Sequence, residues 1–438
     1  MSIANESVFY SQAYRKRKGC GVAWLAILAI VFAGHGSTLG QDNSADDEEL
    51  LAPVPMEFNL EPGTPEEIAE LESRFNQTLE KLRELLAEAR QAEIRFRFGQ
   101  WEESDHWNEQ WQSSQYFGKF VRRELERSAY YLLFKSAQPD QRVLDICQLS
   151  VGPLYDEFQY EMVFRIADEM KRRIPDDEAV RRMRARAAIL TNRFVEAEEE
   201  LELIQQYFSE LPPFEVDYFK KLRQYADQWQ QEQAIRNAEA EADDLPRVEL
   251  LTSDGRIVLE LFEDQYPETV GNFIHLVEGG FYNNVLFHRV AKNFLPLSIA
   301  QTGSASFTPG PTAGTFEGAP KVLDYNIYDE TPKGPPRRHW RGVVSMMKRY
   351  SAEGKPIPNS ASSDFIILLT PAPLLDDELV PFGRVISDLE VIDRIRVNIE
   401  IDPKEGKEKA AENPDYTLVF QTKVIRKRDR DYQPHKVQ

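Results

Sequence analysis

Between Phe287 and Gly303 the chain reads FHRVAKNFLPLSIAQTG, which sets His288 beside Arg289 and follows them with Phe294, Leu295 and Gln301. A guanidinium is permanently charged and presents a rigid fork of donors. A phenyl ring and a leucine offer an apolar surface, and a glutamine amide offers both a donor and an acceptor. The stretch holds no Ser/His/Asp set, no metal-ligand spacing and no glycine loop able to cradle phosphate. Chemistry carried by these residues is therefore of a kind that breaks no covalent bond.

Other candidates carry less. The six histidines of the chain show no metal-ligand spacing, so neither a metal nor a cofactor is expected. The pair Asp376-Asp377 falls in a loop and reads as surface. Trp107 and Trp111 recur at helical spacing and read as core. The tail IRKRDRDYQPHK mixes both charges and reads as solvated, with residues 429–438 a polar tail.

The elements that must position the site follow from composition and periodicity. The chain has 438 residues and a formal net charge of −20, which suits two or three domains and opposes nucleic-acid binding, because phosphate repels an acidic surface. Arg15 to Lys18 precede the apolar run GVAWLAILAIVFA, so residues 1–40 are expected to be a signal peptide, with an uncleaved membrane anchor as the alternative. Export to a periplasm or cell envelope is the expected location. Once such a leader is cut, Cys147 is a single thiol without an internal disulfide partner. Residues 41–62 are an acidic, proline-punctuated linker.

Residues 63–245 read as helical. Thr64-Pro65-Glu66-Glu67 is a capping box, and Ile68, Leu71, Phe75, Leu79, Leu82 and Leu86 then recur on one face. Further helices are expected near 118–136, 154–173, 176–191, 193–209 and 215–240. The segment RMRARAAILTNRFVEAEEELELIQQY sets Ala187 and Ala188 opposite Phe194 and Ala197 across a short turn. It resembles a single tetratricopeptide-type hairpin, an ordinary helical bundle being the equal alternative. After Pro246 the texture changes. RVELLTSDGRIVLELF alternates about a Ser-Asp-Gly turn and predicts a hairpin. YPETVGNFIHLVEGGFY predicts a short helix with Val270, Phe273, Leu276 and Val277 inward. Strand-like pieces follow as far as Tyr416–Ile425, a pattern suited to a closed barrel.

Six ordered motifs give residues 246–428 a resemblance to the cyclophilin-type peptidyl-prolyl cis-trans isomerases. They are YPETVGNFIHLVEGGFYNNVLFHRV (Tyr266–Val290), AQTG (Ala300–Gly303), YNIYDE (Tyr325–Glu330), HWRGVVSM (His339–Met346), NSASSDFII (Asn359–Ile367) and LLDDELVPFGRV (Leu374–Val385). The resemblance implies a closed antiparallel barrel of eight strands with two capping helices and a peptide groove on its outer surface. It implies rotation about X–Pro bonds, with proline-containing polypeptides as partners. Rotation about that amide faces a barrier of about 18–20 kcal/mol because resonance stiffens the C–N bond. In the twisted state the prolyl nitrogen regains a lone pair, and a guanidinium aimed at it favours that state over the planar ones.

The resemblance assigns this role to Arg289, with Phe294 and Leu295 lining the proline pocket and Gln301 bonding the substrate backbone. Gln301 stands about four residues farther from Phe294 than the family pattern places it, judged by motif spacing. The other wall departs further. Asp364 and Ile366 stand where the family commonly has glutamine and phenylalanine. Leu374 replaces an aromatic residue beside Leu375, Leu379 replaces a histidine, and Met347-Lys348 replace an alanine-asparagine pair. His288 reads as a packed histidine rather than a base. Asp364 is expected near Arg289, where a charge-assisted pair would neutralise the guanidinium's field and weaken catalysis.

Two functions therefore stand. One is an exported folding helper acting on X–Pro bonds of envelope or secreted proteins. The other is a catalytically impaired module that binds proline peptides or acts as a scaffold beside a helical protein-interaction domain.

Overall fold

A computed structural model describes residues 61–98, 104–156, 159–208, 213–292, 298–304, 323–396, 399–401, 408–410 and 416–437. The expected leader and most of the acidic linker lie outside them, as do Phe294 and Leu295. Among the described residues no helix is long and apolar enough to cross a membrane. The chain forms two compact units, one reaching to Pro153 and taking in Ile166–Pro175, the other comprising Leu154–Arg165 and Asp176–Gln438.

In the first unit, helix α1 (Pro65–Phe98) opens on the capping box. The Thr64 N–H donates to Glu67 Oε2 at 3.0 Å, and the Glu67 N–H donates to Thr64 Oγ1 at 3.2 Å. Helix α2 (Ser104–Lys135) runs back along it, so that Gly63 at the start of α1 bonds the Lys135 carbonyl at the end of α2. Phe75, Leu79 and Leu82 are buried, as are Leu125 and Leu132. Trp107 and Trp111 are half-buried, the Arg95 guanidinium lying 4.3 Å from the centre of the Trp107 ring. The expected helix over 154–173 is two helices, α3 (Gln141–Asp156) and α4 (Tyr160–Arg173), of which residues 154–156 and 160–165 belong to the second unit. The Gln159 N–H turns back to the Leu154 carbonyl, five residues earlier, which closes α3 before α4 begins. Cys147 on α3 is a free, fully buried thiol, and burial pushes its pKa up.

The second unit contains the alanine-rich hairpin. Asp177 caps α5 (Glu178–Leu190), its carboxylate accepting from Ala179 and Val180 N–H groups. Asn192 takes φ +63 in the turn to α6 (Phe194–Tyr207). Ala187, Ala188 and Ala197 are completely buried, and Glu200 holds Arg181 at 2.8 Å and Arg184 at 3.0 Å. Helix α7 (Pro213–Ala242) follows, and the texture changes to strand at Arg247.

Strands β1 (Arg247–Thr252) and β2 (Gly255–Leu261) form the expected hairpin in full register. Helix α8 (Pro267–Glu278) buries Val270, Phe273, Leu276 and Val277 as the pattern requires. Next come β3 (Val285–Leu286), β4 (Arg289–Ala291), β5 (Ile299–Thr302), β6 (Val343–Met346), β7 (Phe365–Leu368) and β8 (Val380–Val385), then the single turn α9 (Glu390–Asp393). β9 (Ile399–Ile401), β10 (Glu408–Ala410) and β11 (Leu418–Arg426) complete the set. Eleven strands appear among the described residues, several of them only two to four residues long. Their order is β10-β9-β4-β5-β7-β6-β8-β2-β1-β11-β3, antiparallel throughout except for β4 with β9. Only Phe287 and His288 separate β3 from β4, which lie toward opposite ends of that order, so the sheet must curl upon itself. Phe262, Phe273, Phe287, Phe365 and Phe382 fill its interior. The second capping helix is one turn only.

The helices of this unit belong with the barrel. Trp340, fully buried, meets Phe194 of α6 at 5.2 Å and Tyr225 and Trp229 of α7 at 6.3 and 5.5 Å between ring centres. Asn192 brackets Arg341, accepting from its N–H at 3.1 Å and donating to its carbonyl at 3.4 Å. Arg337 is buried between Glu232 and Glu239 of α7 and lies 4.1 Å from the centre of the Phe262 ring. The compact division therefore falls within the helical part, away from the linker at Pro246. The polar tail is also tied down: Tyr432 is buried in the barrel cluster, and the Val437 N–H bonds the Asn326 carbonyl.

Candidate active site

A row of paired strands builds the site. Arg289 on β4 lies directly across from Gln301 on β5, Gln301 from Ile366 on β7, and Ile366 from Ser345 on β6. Strand side chains alternate between faces. Val290, Ala300, Ile367 and Val344 belong to the interior cluster, so this row faces outward. The four-residue excess before Gln301 leaves it in register with the arginine.

The polar contacts run along the row. Arg289 Nη1 donates to Gln301 Oε1 at 3.3 Å, and Gln301 Nε2 donates to Asp364 Oδ2 at 3.1 Å. The carboxylate expected to pair with Arg289 thus reaches it through the Gln301 amide. An ionised carboxylate only accepts, so it directs the amide nitrogen toward itself and the amide oxygen toward the arginine. His288 Nε2 lies 3.9 Å from the same Oδ2. His288 is part-buried rather than packed within the core. Burial lowers its pKa, with Asp364 pulling the other way and Arg289 adding to the lowering.

The backbone beneath Asp364 is closely fitted. Gly303 takes φ +125, and a Cβ there would stand 2.5 Å from the Ser363 carbonyl and 2.8 Å from Asp364 Cα. The Tyr282 hydroxyl donates to the same Ser363 carbonyl at 2.8 Å, and the Met347 N–H donates to the Asp364 carbonyl at 2.8 Å.

The apolar candidates divide. Ile366, Leu375 and Leu379 are buried yet stand apart from the interior cluster. Leu374 points outward, 51% exposed. Met347 is half-buried, and Lys348 is held by Asp329 at 2.9 Å.

Residues 247–416 match the family model described as cyclophilin type peptidyl-prolyl cis-trans isomerase. The chain is 36% identical over 155 residues to the Aspergillus fumigatus peptidyl-prolyl cis-trans isomerase-like 1, covering 35% of this chain and 84% of that one. It is 34% identical to the Schizosaccharomyces pombe peptidyl-prolyl cis-trans isomerase ppi1, covering 34% and 85%. This chain is a cyclophilin. A solved Cryptosporidium parvum cyclophilin type isomerase, determined in the presence of the dipeptide Ala-Pro, is 24% identical, covers 41% of this chain and 98% of that one, and has a TM-score of 0.29.

One neighbour of the arginine in this cyclophilin lies in none of the six motifs. Tyr350 opens a tight hairpin in which it bridges Pro356 and the Ile357 N–H bonds the Arg349 carbonyl. Tyr350 is 40% exposed. Burial raises its phenol pKa, Glu378 raises it further and Arg289 opposes, so all three share one neighbourhood. The available signal was RYSAEGKPIP, an aromatic residue just ahead of a Gly/Pro turn that follows Met347-Lys348.

Proposed function

We propose that this cyclophilin catalyses cis-trans rotation of X–Pro bonds in polypeptides, with Arg289 as its catalytic group. The observation that carries the reading is the outward placement of Arg289, register-paired with Gln301. A substrate proline held against the apolar surface keeps its ring still while the other side of the bond turns. The guanidinium then donates toward the nitrogen as it loses resonance, and no nucleophile takes part. Uncatalysed exchange takes tens to hundreds of seconds, so even a modest catalyst is measurable.

The test is a proline-peptide isomerisation assay on the full chain. Arg289→Ala should lower kcat/KM by about 100-fold, the scale of losing one well-aimed donor. Unchanged turnover in that variant would remove Arg289 as the catalytic group. Asp364, Leu374 and Leu379 favour a second reading, a cyclophilin-like module that binds proline peptides without turning them over. Binding by titration calorimetry with no catalysis in the same assay would select it.

The finer reading places the protein outside the cytoplasm, acting on envelope or secreted chains, with the helical part contacting clients or partners. Its support is the basic stretch and apolar run over residues 15–33, which has the form of a secretory leader. Cell fractionation with N-terminal sequencing of the mature protein tests it, a cytoplasmic protein with its first residues intact being the contrary result.

A further inference from the structure

The contacts of Arg289 end in a pair that the isomerase reaction does not require. Gln301 links the guanidinium to Asp364, and Asp364 Oδ2 is also the oxygen nearest His288. Among the described residues, neither Oδ1 of the same carboxylate nor Nδ1 of His288, both buried, has a side-chain hydrogen-bond partner. The groups facing the imidazole are Asp364 from the approach to β7, the adjacent Arg289 at the start of β4, and the Leu286 backbone. The Tyr282 phenol holds the Ser363 carbonyl just before Asp364, and Tyr350 and Glu378 lie beyond the arginine.

We propose that His288 and Asp364 form a positioning pair for the isomerisation, acting through Gln301, whose net charge sets how much of the Arg289 field reaches the twisted amide. The proposal rests on the isomerase reading of Arg289. With His288 neutral, the pair carries one negative charge. It draws the Gln301 amide toward itself, and the amide oxygen draws the guanidinium away from substrate. With His288 protonated, the pair is close to neutral and the guanidinium's field is freed for the prolyl nitrogen.

Burial holds the imidazole neutral at pH 7, and its proton is taken up only below the ordinary histidine range. Turnover should therefore rise as pH falls. Between about pH 7.5 and about pH 5, kcat/KM of the full chain is expected to rise severalfold, with a midpoint matching the His288 titration read by NMR. Asp364→Gln should raise kcat/KM at neutral pH and flatten the profile, while His288→Gln should abolish the acid rise. NMR supplies a readout independent of turnover. In Asp364→Gln the His288 midpoint should fall, because the carboxylate that favours its proton has gone. An unmoved midpoint overturns the pair, whatever the activity. A wild-type profile that stays flat while His288 titrates overturns its influence on Arg289. Absence of turnover at every pH in the wild type sinks the isomerase reading instead, and the midpoint still decides whether the pair exists.

Discussion

Gly303 is the residue on which the fine geometry of the site depends. Its φ of +125 is one that L side chains rarely adopt, and a Cβ would run into the Ser363 carbonyl and Asp364. Gly303→Ala is expected to cost about 1–3 kcal/mol of stability, read from a denaturant midpoint. Arg289 and Gln301 were legible from the motifs FHRV and AQTG. Their pairing was not, because the added residues between them concealed the register. The route from Asp364 to Arg289 was also hidden. Sequence placed the two charges in one groove, but only the β4–β5–β7 register places the glutamine amide between them.

At the level of elements, the segment Arg337–Trp340–Arg341 joins α5–α7 to the barrel. Trp340 is enclosed by Phe194, Tyr225 and Trp229, and Arg337 lies between two carboxylates of α7. Burial pushes the Arg337 pKa down to about 10, so its charge depends on Glu232 and Glu239 to offset the loss of water. Trp340→Ala leaves a cavity among large rings and should cost about 3–5 kcal/mol in chemical denaturation. A cost below about 1 kcal/mol would mean that the helices contribute little to the barrel's stability. HWRGVVSM was recognisable as a family motif, but its tryptophan carried no sign of which surface would cover it. The helix boundary at 154–173 was missed for a related reason. Its apolar periodicity persists through the point where the Gln159 N–H closes α3 on Leu154.

For the whole molecule, the two compact units divide within the helical part, so a fragment cut at the Pro246 linker would lose the cover over Trp340 and Arg337. Residues 246–428 alone are expected to aggregate or to elute as a mixture in size-exclusion chromatography, whereas a fragment beginning at Leu154 should elute as one species. A well-behaved 246–428 fragment of undiminished stability would show that the helical cover is dispensable.

Local chemistry was enough to settle much of this protein. The capping box at Thr64, the β1–β2 hairpin, the inward face of α8 and the presence of the isomerase motifs all depend on near neighbours in the chain, where dihedral preference and side-chain period act directly. Tertiary structure decided what lies far apart in sequence. It placed an amide from β5 between Arg289 and Asp364, a ring from α6 and two from α7 around Trp340, and a tail tyrosine in the barrel wall. Those arrangements depend on strand register and on burial of large apolar surfaces, and neither leaves a periodic mark in the residues that take part.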